Sequence, residues 1–285
     1  MATKKAGSTG KNTTKTKVVS APSKPTTTST KVTTVQAVAA EQPKATSRFD
    51  GNRTYVASAL IAEFIGTFLL TVAFIGTKGD PLYLGFVLAG IVLIVGTISG
   101  AHINPAITVG TWVTRKISGL RALGYIIAQV LGAVLALVAL TAFIGAAPAP
   151  DAQSAMMGGQ SAAPELFKVA ALTDSSHWYV LFAELIGATI FAFAVASARK
   201  EKLDRVAKAF TIGFGLLIAG VFTTIVAGYA SANGVFNPAI ALSVGAIDWG
   251  KIDWFAIAAY LVAPLLGGII GFALRDVLSV GEKNV

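Results

Sequence analysis

The sequence predicts an all-α membrane protein with six transmembrane helices, two re-entrant half-helices and an inverted 3+3 repeat. Of its 285 residues, 54% are hydrophobic and 13% are charged, a composition too apolar for an ordinary soluble domain. Six apolar segments are long enough to cross a bilayer, and two similar short stretches containing Asn-Pro-Ala lie among them. The chain has no cysteine, which excludes disulfides and thiolate metal sites.

Residues 1–50 differ in composition from the rest of the chain. They carry nine basic and two acidic residues, and so hold seven of the nine net positive charges. The segment is rich in Thr, Lys, Ala and Pro and has no aromatic residue before Phe49, so it cannot bury a core. We predict a disordered, basic cytoplasmic tail at 1–50 and a membrane domain at 51–285. The tail is expected to help fix orientation; contact with anionic lipid is a second interpretation, and no nucleic-acid partner is expected.

The spans follow from apolar length, since a helix that crosses a membrane needs about 20 mostly apolar residues. Six segments qualify, at approximately 54–76, 82–99, 120–145, 178–198, 209–229 and 254–278. The loop at 199–208 carries five basic residues, and another basic cluster follows the second span. Because basic loops stay in the cytoplasm, we predict that the even-numbered loops and both termini are cytoplasmic.

The two halves of the chain repeat each other. "AEFIGTF" at 62–68 opens the first span, and "AELIGAT" at 183–189 opens the fourth. "HINPAIT" follows the second span, and "VFNPAIA" follows the fifth. Each half, at about 54–145 and 178–278, has three spans, and an odd number threads the second half upside down relative to the first.

The stretches that follow the two Asn-Pro-Ala motifs are too short to cross a bilayer. Those at 103–113 and 236–246 would each form roughly 16 Å of helix, about half of the hydrocarbon core. Asn is a strong N-cap and Pro suits the first helical position. Asn104-Pro105 and Asn237-Pro238 are therefore predicted to begin two half-helices.

In an inverted repeat the two half-helix N-termini meet near mid-bilayer, and Ala106 and Ala239 are small enough for the ends to touch. Unpaired N–H groups and the helix dipoles make this point electropositive. If each Asn oxygen caps its own helix, its NH₂ group is free to point into a lumen. Because non-helical backbone at this depth must line a cavity or be buried in protein, the sequence predicts a narrow pore with polar donors and an apolar wall. Such a pore suits neutral hydroxylic solutes and opposes cations.

Two acidic residues, Glu63 and Glu184, lie in apolar spans at matched repeat positions. Buried acids in a membrane are costly and must find partners. One interpretation is a proton relay. The other, which the repeat symmetry favours, is structural: each carboxylate accepts hydrogen bonds from the irregular backbone that leads into a half-helix. Gln129 in the third span is predicted to brace the same loop as Glu63.

These motifs resemble the aquaporin and glycerol-facilitator family, the major intrinsic proteins. The resemblance rests on "AEFIGTF", "SGAHINPAIT", "AQVLGA", "AEL", "FNPA" and "YLVAPLLGG", spread over 54–278. It implies an aquaporin-like channel domain at 51–285, a homotetramer with one pore per chain, and no cofactor or metal. It places His102 on the cytoplasmic side of the pore and assigns the pore motifs to Asn104, Pro105, Ala106, Asn237, Pro238 and Ala239.

The chain departs from the family pattern after the second motif, where Ile240 takes the place of the usual arginine. Carried over by position, the family's outer constriction falls on Leu84, Ile225, Gly234 and Ile240, which include no ionisable or aromatic side chain. Without a guanidinium, the half-helix dipoles remain as the main cation barrier. The ring leaves open a water pore, a pore for other small neutral solutes such as glycerol or dissolved gases, and a poorly conducting homologue.

The leading hypothesis is passive diffusion of water and small neutral solutes through an integral, multi-pass protein of a prokaryotic inner membrane. An ion-coupled secondary transporter is the alternative, because it also uses inverted repeats and broken helices; Glu63 and Glu184 would then be coupling sites. A structural membrane protein whose tail recruits partners is a third class. No enzyme is predicted, because the sequence shows no nucleophile–base set, phosphate loop or metal-ligand cluster.

Overall fold

The computed structural model describes residues 48–146, 165–200 and 203–281, which form helices and, within these ranges, no strand. The helices are α1 (Arg48–Gly76), α2 (Pro81–Ser99), α3 (Pro105–Val113), α4 (Gly119–Gly145), α5 (His177–Lys200), α6 (Arg205–Gly228), α7 (Pro238–Ser243), α8 (Trp254–Ile257) and α9 (Ala263–Gly281). A π-helical turn, Ala258–Val262, joins α8 to α9. Apart from 48–50, which begin α1, the predicted tail at 1–50 lies outside the described residues.

Six of the described helical units are long and apolar enough to cross a membrane: α1, α2, α4, α5, α6 and the α8–α9 unit. This confirms the predicted all-helical membrane fold. The fifth span begins at Arg205 rather than at 209, because Asp204 caps it. One oxygen of that carboxylate, Oδ1, accepts hydrogen bonds from the backbone N–H groups of Val206 (2.8 Å) and Ala207 (2.9 Å), as an N-cap does.

The packing of the helices repeats between the two halves. In the first half α1 packs against α2 and α4, and in the second half α5 packs against α6 and α9. The halves meet where α2 packs on α6. The short helices cross over, since α3 packs on α9 and α7 packs on α4. Each short helix is thus held by the last span of the opposite half.

Glycines at matched positions bring the spans close together. Gly132 of α4 faces the backbone oxygen of Phe64 in α1, and Gly267 of α9 faces that of Leu185 in α5. A Cβ at either glycine would overlap the facing oxygen. Small residues allow this close backbone approach in membrane helices. Here the two glycines make the same kind of contact in both halves of the chain.

The second short helix is shorter than expected. The sequence predicts a half-helix over 236–246, whereas α7 covers only Pro238–Ser243. Gly245 ends it with a left-handed φ of 73°, and Ala246 N–H bonds back to the Ala241 carbonyl at 3.2 Å. These features form the usual glycine-terminated helix end.

Candidate functional site

The N-termini of α3 and α7 are joined by their asparagines. Asn104 Oδ1 accepts from Ala106 N–H at 2.8 Å, and Asn237 Oδ1 accepts from Ala239 N–H at 3.2 Å. Each asparagine therefore caps its own helix, as predicted. The Nδ2 groups reach across: Asn104 donates to the Phe236 carbonyl and Asn237 donates to the Ile103 carbonyl, both at 3.0 Å.

These crossed bonds correct one expectation. The sequence predicts that each asparagine NH₂ group is free to point into a lumen, but in the structure each group already donates to the opposite half. An amide NH₂ has two hydrogens, so one hydrogen per asparagine remains for a passing solute. The first hydrogen fixes the direction of the second, because both lie in the rigid plane of the amide.

The backbone before each asparagine is strained. Ile103 has φ 55° and Phe236 has φ 35°, the left-handed region that bulky and β-branched residues avoid. Such conformations persist where the surroundings impose them, and they cluster at functional sites. The strain falls at the same position in both repeats, directly before the cap.

Two buried carboxylates hold these strained segments. Glu63 accepts from the N–H groups of His102 (2.8 Å) and Ile103 (2.7 Å). Glu184 accepts from those of Val235 (2.5 Å) and Phe236 (2.7 Å). Every carboxylate oxygen is used on backbone donors that precede a half-helix. This is the arrangement that the structural interpretation of the two acids requires.

Gln129 and His102 complete the support of the first motif. Gln129 Nε2 donates to Glu63 Oε2 at 2.8 Å and to Thr108 Oγ1 at 2.9 Å. His102 Nδ1 lies 3.1 Å from Thr108 Oγ1, and its ring meets Tyr125 edge-on with centroids 5.0 Å apart. The histidine is thus oriented from two sides.

A narrow cavity, which we call the filter cavity, leads to the second asparagine. Its volume is about 20 Å³, enough for about one water molecule. Three of the four predicted constriction residues, Leu84, Gly234 and Ile240, line it together with Asn237. The other lining residues are Leu70, Phe74, Gly79, Pro81, Leu216, Gly220, Thr224, Val235 and Phe236.

The prediction that Ile225 is the fourth constriction residue is wrong. Its side chain is 54% exposed, whereas that of Ile240 is 2% exposed, and Ile225 does not line the filter cavity. It continues the outer apolar stripe of α6, which comprises Phe210, Phe214, Ile218, Val221 and Ile225. The count back from Asn237 does not take into account which face of α6 a residue occupies. Each step along a helix turns the side chain by about 100°, so an error of one position moves it to another face. Leu216, Gly220 and Thr224 are the α6 residues that face the cavity.

A wider cavity, the entrance cavity, adjoins the filter cavity. It has a volume of about 270 Å³ and shares Phe74, Gly79, Pro81, Thr224 and Gly234 with the filter cavity. Sequence reasoning missed Phe74 and Thr224. The helical phase of the buried face of α6 was the available signal for Thr224, whereas nothing in the sequence distinguished Phe74 from other apolar residues of α1.

At the opposite end of the molecule lies a third cavity, the basic vestibule, of about 470 Å³. It opens where α2 and α5 end and α6 begins, and it is lined by Val92, Gly96, Thr97, Gly100, Arg199, Leu203, Arg205, Lys208 and Ile212. Arg199 donates to the Gly100 carbonyl at 3.0 Å and to Thr111 Oγ1 at 3.1 Å. Gly100 begins the irregular stretch that contains His102, so the vestibule adjoins the segment that leads to the first motif.

Comparison with known proteins matches the same region. The family model described as "Major intrinsic protein" matches residues 50–275. Aquaporin AqpM of Methanothermobacter marburgensis is 30% identical over 246 residues, which cover 74% of this chain and 92% of that protein. Glycerol uptake facilitator protein-like 6 of Lactiplantibacillus plantarum is 32% identical over 223 residues, which cover 74% and 93%.

A solved structure shares the fold. The X-ray structure of the aquaglyceroporin from Plasmodium falciparum superposes with a TM-score of 0.61, at 21% identity, covering 81% of this chain and all of that one. At this identity the likeness concerns the fold alone.

Proposed function

Because this chain belongs to the major intrinsic protein family, we propose that it conducts water and small neutral solutes such as glycerol along the route that passes Asn104 and Asn237. The protein is a passive, multi-pass membrane channel and not an enzyme. What is proposed is the identity of the residues that form the route, its selectivity and its orientation.

The observation that carries the proposed route is the meeting of the two capped helix starts beside the filter cavity. Asn237 lines that cavity and is bonded to the backbone of the first motif. A solute oxygen that reaches this point accepts from the remaining amide hydrogens. The positive ends of α3 and α7 oppose a cation there, and donors and half-helix dipoles are the general means by which aquaporin-type pores exclude protons.

The proposed filter is apolar with a single hydroxyl. Leu84, Gly234 and Ile240 form its wall, and Thr224 is the one side-chain hydroxyl among the described lining residues. Without a guanidinium the filter cannot bind a solute hydroxyl through charged donors. We therefore expect weak discrimination between water and slim neutral solutes, with size as the main limit.

The basic end of the bundle is proposed to face the cytoplasm. Arg199, Lys200, Arg205 and Lys208 lie there at or beside the ends of α5 and α6, and basic loops remain cytoplasmic. A prokaryotic inner membrane, a homotetramer and contact of the tail with anionic lipid complete the proposal, on the resemblance and on charge alone.

The test is an osmotic one. Proteoliposomes that contain the protein should shrink several-fold faster than empty liposomes after a hyperosmotic step, and light scattering measures the rate. The same vesicles, tested in turn for water, glycerol and urea permeation, give the order of the three permeabilities. Equal rates with verified insertion would contradict a channel, whereas accumulation driven by a pH gradient would instead indicate the coupled transporter.

A further inference from the structure

The basic vestibule is lined by positive side chains that form no ion pair with the described part of the chain. Arg199, Arg205 and Lys208 line it, and no carboxylate is among its described lining residues. The side-chain ammonium of Lys208 has no hydrogen-bond or ion-pair partner among the residues that the structure describes. Arg205 donates to the Leu93 carbonyl, a neutral acceptor that leaves the charge of the guanidinium unpaired.

Neighbouring cations at the same end are treated differently. Lys116 and Lys200 both pair with Asp276, at 2.5 Å and 3.3 Å. Asp204, which lies next to Arg205, forms no ion pair with a described vestibule residue, and its Oδ1 caps α6. Asp276 thus pairs with Lys116 and Lys200, whereas no described carboxylate pairs with the vestibule side chains.

The dipole of α6 also favours an anion at this place. Arg205 and Lys208 lie in the first turn of α6, where the helix dipole is positive and cations are unfavourable. An anion placed among them would relieve both the mutual repulsion of the side chains and the repulsion from the dipole. Helix N-termini with converging basic side chains are favourable surroundings for phosphate groups.

Arg199 supplies a fixed donor at the inner wall of the vestibule. Its bonds to Gly100 and Thr111 hold the guanidinium in place, and Phe272 lies under it, 5.9 Å from ring centroid to Cζ. These two bonds use two of the five N–H donors of a guanidinium. A bound anion would therefore sit beside Gly100, at the mouth of the irregular stretch that leads to His102 and Asn104.

We propose that Arg199, Arg205 and Lys208 form a binding site for a phosphate-class anion, either free or as the headgroup of a lipid, and that the bound anion lowers flux through the pore. The binding does not depend on the proposed function. The effect on flux does depend on it, so binding and flux are measured separately.

The experiment uses the full chain. Binding of radiolabelled inorganic phosphate to the purified protein in neutral detergent is measured by equilibrium dialysis. Osmotic shrinkage is measured in phosphatidylcholine vesicles with phosphate or chloride on both sides at equal osmolarity. A parallel set of vesicles contains phosphatidylglycerol and chloride only, which distinguishes a lipid headgroup from the free anion.

Two variants and a control make the result specific. Lys208→Gln and Arg205→Gln remove charge without touching the bonds of Arg199. Arg115→Gln removes the same charge from an exposed arginine that does not line the basic vestibule. The basic tail is common to all variants, so its own affinity for phosphate cancels in the comparison.

We expect phosphate, phosphatidylglycerol or both to slow shrinkage of the wild type. Lys208→Gln and Arg205→Gln should each weaken the apparent affinity by about tenfold, the ratio expected when one charge-assisted hydrogen bond is lost, while Arg115→Gln behaves as the wild type. The proposal is overturned if neither anion binds or slows shrinkage, or if both vestibule variants keep the wild-type response. A protein that binds phosphate through these residues but shows no basal flux would contradict the proposed function and leave the anion site standing.

Discussion

At the scale of single residues, the position of a residue around its helix decides whether its side chain faces the proposed route. Ile240 and Ile225 are the same residue type, yet one is buried beside the second motif and the other faces outward from α6. Ile240, which takes the place of the arginine usual in the family, therefore lies in the wall of the proposed filter, whereas Ile225 lies on the outer face of α6.

This difference gives a residue-scale prediction. Ile240→Ala removes three side-chain carbon atoms from the wall of the filter cavity and should raise glycerol permeability several-fold relative to water. Ile225→Ala makes the same chemical change on the outer face and should leave the glycerol-to-water ratio unchanged. Stopped-flow light scattering with each solute measures both, and a larger effect from Ile225→Ala would restore the sequence-based filter.

At the scale of elements, the fold depends on short helices wedged against glycines. Gly268 of α9 lies against the backbone of Ala106 at the start of α3, so close that a Cβ would overlap the Ala106 carbonyl oxygen. This contact lies two residues after the Asn104 cap and three after the strained Ile103. A half-helix is too short to be stable alone, so packing must position it.

The corresponding prediction compares two glycines. Gly268→Ala should lower the free energy of unfolding by about 1–3 kcal/mol, as overpacking of a close contact does, and should reduce water flux by displacing α3. Gly90→Ala, in α2, has nothing within 4 Å of its added Cβ and should be neutral or slightly stabilising. Thermal unfolding in detergent and vesicle shrinkage measure the two effects. A Gly268→Ala protein with wild-type stability and flux would contradict the role of this contact.

At the scale of the whole molecule, the conducting unit is the interlocked pair of repeats. α3 packs on α9 and α7 packs on α4, so neither half can form the meeting point of Asn104 and Asn237 alone. The family model likewise begins at residue 50, which leaves the basic tail outside the conserved fold of that family.

Deletion of residues 1–47 tests this division of the chain. The truncated protein should keep the water permeability of the full chain per inserted molecule, because no described contact of the pore lies before α1. Vesicle shrinkage normalised to inserted protein is the measurement. A loss of basal flux with intact folding would assign the tail to the channel itself rather than to orientation or lipid contact.

The sequence by itself determined the number of spans, the repeat and the two capped starts. Hydrophobic length, Asn-Pro at a helix start and a matched acid in each half are local signals, and each follows from what lipid and backbone demand of nearby residues. The half-helix starts at Asn104 and Asn237 and the carboxylates of Glu63 and Glu184 accordingly appear where the pattern placed them.

Only the tertiary structure decided which side chains share a cavity. Asn104 and Asn237 each donate to the backbone of the opposite motif. Thr224, rather than Ile225, lines the filter cavity, and the basic vestibule brings together cationic side chains of α5 and α6 with residues of α2. An error of one position rotates a helical side chain by about 100°, from the cavity toward the lipid. The distances between α2, α5 and α6 depend on how whole helices pack, which no short stretch of sequence specifies.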